Sequence, residues 1–260
     1  MTSRQDAPRT ARQRARAELT REITQEARRQ LAATGANGLS LRAVARELGM
    51  VSSALYRYYP SRDDLLTALI IDAYDAIGEA AETAIAEVPR PDATANRRVG
   101  RARWLAACHA IRGWALERPH EYALIYGSPV PGYRAPEATI GPAARVPLAF
   151  VGVLADAIAD GEIAVPADGE VAAPAPAPER LTGELAEQAT ALQAALALDA
   201  SAVGANAVPP AMLVRGVIAW TQLFGMISFE LFGQFVGSFE PADAFFAHAA
   251  GELATLVGLS

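Results

Sequence analysis

The chain punctuates itself between Gly35 and Ser61 more tightly than anywhere else, and that punctuation limits what it can fold into. Gly35 and Gly38 end a helix-forming run from about Thr10 to Thr34, because glycine accepts the backbone conformation that closes a helix. On that run Leu19, Ile23, Ala27 and Leu31 recur at four-residue steps and make one apolar stripe. Ser40 then reads as an N-cap for Leu41 to Leu48, since its hydroxyl accepts an otherwise unpaired backbone N–H. Gly49 stops that segment. Ser52 starts another short one, which Pro60 terminates by disfavouring helix at the residue before it. Ser61 caps a fourth, with Asp63 and Asp64 in the first turn, where the helix dipole favours negative charge. This fourth helix runs to about Ala86, and Pro89 and Pro91 close it.

Beyond it the pattern stays helical. Alanine and leucine abound and alternating β-branched runs are scarce, so the expected fold class is all-α. Helices are expected at about Ala95–Glu117, His120–Tyr126, Gly141–Asp160, Glu179–Ala200, Pro209–Phe235 and Pro241–Val257. The segment Val165–Pro178 is rich in proline and alanine, lacks aromatics and reads as a mobile loop. No internal repeat is visible.

Charge divides the chain unequally. Residues 1–62 carry 12 Arg against 5 acidic residues, whereas residues 63–260 carry 11 Arg against 24. A basic end on an acidic body suggests a polyanionic partner for the first segment alone. The single cysteine, Cys108, makes neither an internal disulfide nor a thiolate cluster, which fits a reducing compartment. The basic N-terminus has no apolar segment behind it and so lacks the pattern of a signal peptide. The most apolar run, Ala211 to Phe229, is interrupted by Arg215 and reads as a buried helix rather than a membrane span. The expectation is a cytoplasmic protein with no membrane partner.

Residues 40–59, SLRAVARELGMVSSALYRYY, carry the most specific signal. Leu41, Val44, Ala45 and Leu48 form an apolar face. Gly49 occupies a tight turn, and Ala54, Leu55 and Tyr58 lie in the following helix. Two short helices joined by a glycine-containing turn match the helix-turn-helix layout, whose second helix enters the DNA major groove. This stretch, continued through Tyr56-Arg57-Tyr58-Tyr59-Pro60-Ser61-Arg62-Asp63-Asp64-Leu65, resembles the TetR family of repressors over about residues 15 to 70. The resemblance implies an N-terminal three-helix DNA-binding domain, residues 12–72, and a larger ligand-binding and dimerisation domain, residues 73–260. It implies that Ser52, Ser53, Ala54 and Arg57 lie at or near base edges and that Tyr56 and Tyr58 reach phosphates or bases. It places Ser40 and Arg42 against the DNA backbone, and Arg62 on a phosphate. Arginine reads guanine through two hydrogen bonds and tyrosine hydroxyls donate to phosphate, so these roles suit the residue types. Tyr59, the second aromatic of the pair, is expected in the core. For the basic arm of Arg4, Arg9, Arg12, Arg14 and Arg16, contact with DNA and a solvated tail both remain open.

The C-terminal half resembles one subclass of TetR-family effector domains through Arg118-Pro119-His120-Glu121-Tyr122 and the residues up to Tyr133. A Trp-His-Gly signature of that subclass corresponds to Trp220, Phe224 and Gly225, with phenylalanine where histidine is expected. Trp104, Cys108, Ile111 and Tyr122, with Phe150, Trp220 and Phe224 opposite, are candidates to line a pocket for an apolar or aromatic small molecule; ordinary core packing is the alternative for each. His109, His120 and His248 have no ligand partners at suitable spacing, so no metal is expected, and no cofactor. The last two helices, with Gly216, Gly225 and Gly233 allowing close approach, are expected to pair with a second copy across a two-fold axis. A homodimer suits a double-stranded operator with an inverted repeat. The expected function is a regulator, a repressor released by its effector, with the fourth helix as the lever between domains. An enzyme finds no support in a phosphate-binding loop, nucleophile elbow or zinc motif. A nucleoid-structuring protein would need basic charge along the whole chain.

Overall fold

The apolar stripe of the first helix becomes the seam of the N-terminal unit. In a computed structural model that describes residues 11–89, 99–163, 181, 183–198 and 208–259, α1 spans Ala11–Thr34 and buries Ile23, Ala27 and Leu31. Residues 1–10, the expected loop Val165–Pro178 and the start of the expected helix at Ala95 lie outside the described residues. Gly35 takes φ +69° and ends α1, and a single 3-10 turn at Ala36–Gly38 leads into the next helix.

That next helix, α2 (Leu41–Glu47), starts on Ser40, whose Oγ accepts the N–H of Ala43 at 3.4 Å. Gly49 turns the chain at φ +64°, a conformation that costs an L-residue about 1–2 kcal/mol. α3 (Ser52–Leu55) follows and packs on α2, while α2 packs on α1. α4 (Arg62–Glu87) begins at Ser61, whose Oγ accepts the Asp64 N–H at 3.1 Å and donates to its carboxylate at 2.7 Å. This reciprocal cap satisfies donors that a helix start leaves unpaired. Leu41, Val44, Ala45, Leu55, Leu65 and Leu69 close the core of this unit.

Contacts divide the chain into two units within α4, between Ala73 and Tyr74. The first unit also takes in His120–Thr139, which contains most of α6 (Pro119–Tyr126). Two side-chain links bind that segment within the unit. Arg28 on α1 donates to Glu121 at 3.0 Å and to Asp72 at 2.8 Å, and the hydroxyls of Thr67 and Tyr133 share a hydrogen bond of 2.9 Å.

The second unit is organised around α5 (Gly100–Glu117), which contacts α7 (Ile140–Ala159), α9 (Pro210–Leu231) and α10 (Asp243–Leu256). Trp104, Ala107, Cys108, Ile111 and Ala115 on α5 are all buried, and the Trp104 ring lies 4.5 Å from that of Phe150 on α7. The Glu162 carboxylate covers the start of α5, accepting the N–H of Val99 at 2.7 Å and of Gly100 at 2.9 Å. α8 (Gly183–Leu198) packs on α9. The segments over Glu137–Ala159 and Pro210–Leu231 have the length and hydropathy of membrane spans. In the second unit α7 and α9 instead pack on each other and on α5.

The described residues contain no strand. α9 ends at Leu231, four residues before the expected Phe235. Gly233 at φ +75° takes the chain out of the helix, and the Gln234 N–H returns to the Phe229 carbonyl at 2.8 Å. α10 starts at Asp243 rather than Pro241, with Ala242 as its N-cap residue.

Candidate nucleic-acid interface

Burial separates two faces of the α2–α3 pair. Leu41, Val44, Ala45 and Leu55 point inward, and Tyr59 joins them. Burial and the nearby Asp72 carboxylate push the Tyr59 phenol above its ordinary pKa of 10.0, with Arg28 opposing. Tyr59 therefore packs as a core residue. Outward stand Arg42 on α2, Ser52 and Ser53 at the start of α3, and Tyr56 and Arg57 just beyond it, all exposed. Ala54 and Tyr58 are half-buried at the edge of that face, and Ser40, also half-buried, is tied in by a hydrogen bond from its N–H to Gln30 Oε1 at 3.3 Å.

The charges sort in the same way. Among the described residues Arg42 and Arg57 have no carboxylate within ion-pair distance, whereas Arg46 faces Glu47 at 3.5 Å. A surface presenting hydroxyls, a phenol and free guanidinium groups beside a buried apolar face has the donors that phosphate and base edges require.

Arg62 is placed differently from a free phosphate clamp. Its Nη2 donates to the Ala36 carbonyl at 2.7 Å and its Nε to the Leu39 carbonyl at 3.2 Å, while Nη1 lies 3.5 Å from Asp63. The Ala36 carbonyl also accepts the Leu39 N–H that closes the 3-10 turn, at 3.3 Å, and the planar guanidinium spans it and the Leu39 carbonyl. Arg62→Ala is expected to lower the thermal stability of the DNA-free protein, with a loss of about 1.5–3 kcal/mol for bonds to a charged donor. An unchanged melting temperature, with a weaker salt dependence of DNA binding, would show a phosphate clamp instead.

Six of the seven pocket candidates lie in the second unit and Tyr122 lies in the first. Trp104, Cys108, Ile111 and Phe150 are closely packed in the second unit. Phe224 is buried there too, with half-buried Trp220 edge-on to it at 5.7 Å. Tyr122 belongs to the first unit, its ring 5.2 Å from that of Tyr126. Burial raises the Cys108 thiol well above its usual range, so it behaves as a small apolar side chain. A groove of about 500 Å³ opens elsewhere in the second unit, between α4 and α5, floored by Ala76, Ala80 and Ala84 and walled by Trp114, Glu79 and Arg118. The four-residue spacing of those alanines was its sequence signal, because small residues on one helix face leave room. Among the described residues no cluster of His, Cys, Asp and Glu has the makings of a metal site.

A three-helix head with a polar, cationic face on its second and third helices, joined in one chain to a larger helical unit, defines a helix-turn-helix transcription regulator. Residues 23–69 match the bacterial regulatory proteins of the tetR family, and residues 104–253 match the tetracyclin repressor-like C-terminal domain. The chain belongs to the tetR family of DNA-binding transcriptional regulators. It is 39% identical over 229 residues to the HTH-type transcriptional regulators Mb1846 of Mycobacterium bovis and Rv1816 of Mycobacterium tuberculosis, covering 85% of this chain and 84% of each relative. The solved structure of SCO4313 superposes with a TM-score of 0.66 at 33% identity, covering 95% of this chain and 98% of that one. A protein from Rhodococcus sp. RHA1 shares the fold at 22% identity, with a TM-score of 0.61 over 90% of this chain and 93% of that one.

Proposed function

We propose that the chain is a repressor that binds an inverted-repeat DNA operator as a homodimer and leaves it when an apolar or aromatic effector binds the second unit. It acts in the cytoplasm and carries no catalytic activity. The observation that carries this reading is the segregation on α2 and α3, with apolar side chains inward and Arg42, Ser52, Ser53, Tyr56 and Arg57 outward. In this reading Ser53 and Arg57 read bases, with Ser52 and Ala54 close to them. Tyr56 and Tyr58 reach phosphates or bases, Ser40 and Arg42 hold the backbone, and Arg62 braces the turn before α2.

The dimer is supported by the apolar surface of the last two helices. Val217, Ile218, Phe229 and Phe232 leave 43–54% of their surface exposed along α9 and its C-cap, and Leu256 on α10 is exposed as well. Apolar surface on this scale marks a contact site. The effector is supported by Trp220 and Phe224, an aromatic pair whose Trp220 indole N–H has no hydrogen-bond partner among the described residues.

Selection of duplexes from a random library tests the reading. Wild-type protein should enrich an inverted repeat and run at dimer mass in light scattering. Arg57→Ala and Ser53→Ala should change the base preferred at one or two positions per half-site, with a cost of about 1–3 kcal/mol at each contact. An enriched site whose base preferences survive both substitutions would remove the base-reading role from these residues.

A further inference from the structure

The first helix distributes its arginines unevenly between paired and free. Arg21 pairs with Glu18, Arg28 with Asp72 and Glu121, and Arg29 with Glu26. Arg12, Arg14 and Arg16, in the first two turns, are exposed and have no carboxylate partner among the described residues. A helix that neutralises one end and leaves the other cationic attracts anions to the free end.

Arg16 shows where that end lies. Its guanidinium carbon sits over the Tyr58 ring, 5.2 Å from the centroid. Tyr58 closes the recognition segment that begins at Ser52, so the contact sets the cationic turns of α1 at the edge of the DNA-reading face. A guanidinium held against an aromatic face keeps its N–H donors free for an anion, and the ring reduces the freedom lost when a phosphate binds. Arg12, four residues earlier, shares the face of α1 that carries Arg16.

We propose that Arg16, oriented by Tyr58, binds a phosphate of the operator backbone, and that Arg12 extends this track outward along the DNA. The proposal rests on the DNA-binding reading above and adds α1 to the recognition surface. Phosphate contacts carry little sequence information, so Arg16 contributes affinity and register and leaves base preference alone.

The test measures binding of the selected operator duplex and of a random duplex over a range of salt concentrations. Arg16→Ala should lower the magnitude of the log–log salt slope by about 1 per protomer. It should weaken operator and random duplex by the same factor. Arg16→Gln, which keeps the stem over the ring but removes the charge, should show the same loss of slope. Arg16→Lys should retain the slope but not the full affinity, because an ammonium lacks the planar stacking. In a Tyr58→Leu background Arg16→Ala should cost less than in wild type. Circular dichroism should be unchanged for each Arg16 variant, since the side chain is exposed. An unchanged slope in Arg16→Ala and Arg16→Gln, with wild type binding normally, overturns this proposal alone. Wild-type protein that binds no duplex overturns it together with the DNA-binding reading.

Discussion

Trp104→Ala is expected to lower the stability of the second unit by about 3–5 kcal/mol, the cost of removing a fully buried aromatic side chain. Trp104 is 1% exposed, packs its ring against Phe150, and neighbours the fully buried Cys108 and Ile111 along α5. Its indole Nε1 is buried without a hydrogen-bond partner among the described residues. That orphan donor already costs free energy, so Trp104→Phe should cost clearly less than Trp104→Ala despite losing volume. Urea unfolding followed by circular dichroism measures both. Added indole should return part of the stability of Trp104→Ala, because a ligand that binds only the folded state stabilises it. Equal losses for the alanine and phenylalanine variants would show that the indole N–H finds a partner after all.

Arg112→Ala should be as damaging, through charge rather than volume. Arg112 lies on α5, almost fully buried, with Nη2 2.6 Å and Nε 2.7 Å from the Glu230 carboxylate and Nη1 2.9 Å from Asp243. Its guanidinium also stacks over Phe246, 5.0 Å from the ring centroid. The Glu230 bonds, reinforced by Asp243, hold Arg112 protonated above the ordinary arginine range against the cost of burial. Removing one partner of such a pair strands the other, at a cost of about 3–5 kcal/mol. The Asp243 side chain is 75% exposed, so Asp243→Ala should cost no more than about 1 kcal/mol. The paired change Arg112→Met with Glu230→Leu should recover most of the loss, since apolar replacements of a buried pair are often neutral. Because Arg112 ties the end of α9 to the start of α10, Arg112→Ala should also shift light scattering toward monomer. A stable, fully dimeric Arg112→Ala protein would reduce the triad to a surface ornament.

The DNA-reading head was legible because its signals are local. Ser40 caps α2, Gly49 turns at positive φ, and Ser61 closes a reciprocal cap with Asp64. Each effect acts within a few residues, so spacing along the chain is enough to read it. The inward place of Tyr59 came from the family resemblance, in which the second aromatic of the pair lies in the core, and not from periodicity. The boundaries were less legible. Phe232 to Phe235 looks helical by composition, and only the positive φ of Gly233 ends α9 before it.

Arg62 shows where residue type stops being informative. An arginine beside a helix-turn-helix suits a phosphate, and residue type alone carried no sign that in the DNA-free chain its Nε and Nη2 meet the Leu39 and Ala36 carbonyls, 23 and 26 residues earlier. The Arg112 triad spans more than a hundred residues and left no mark on spacing. Periodicity placed Trp220 and Phe224 on one face and their rings do meet, but it carried no information on what lies opposite them. By itself the sequence determined the helices, their order, the turn between α2 and α3, and a basic head on an acidic body. These follow from backbone preference and charge, which act locally or sum over residues. Only the tertiary structure decided which arginines are neutralised and which remain free, that Arg16 lies on Tyr58, and that His120–Thr139 groups with the first unit. Those outcomes depend on long side chains meeting partners distant in sequence, and such meetings exist only once the helices have packed.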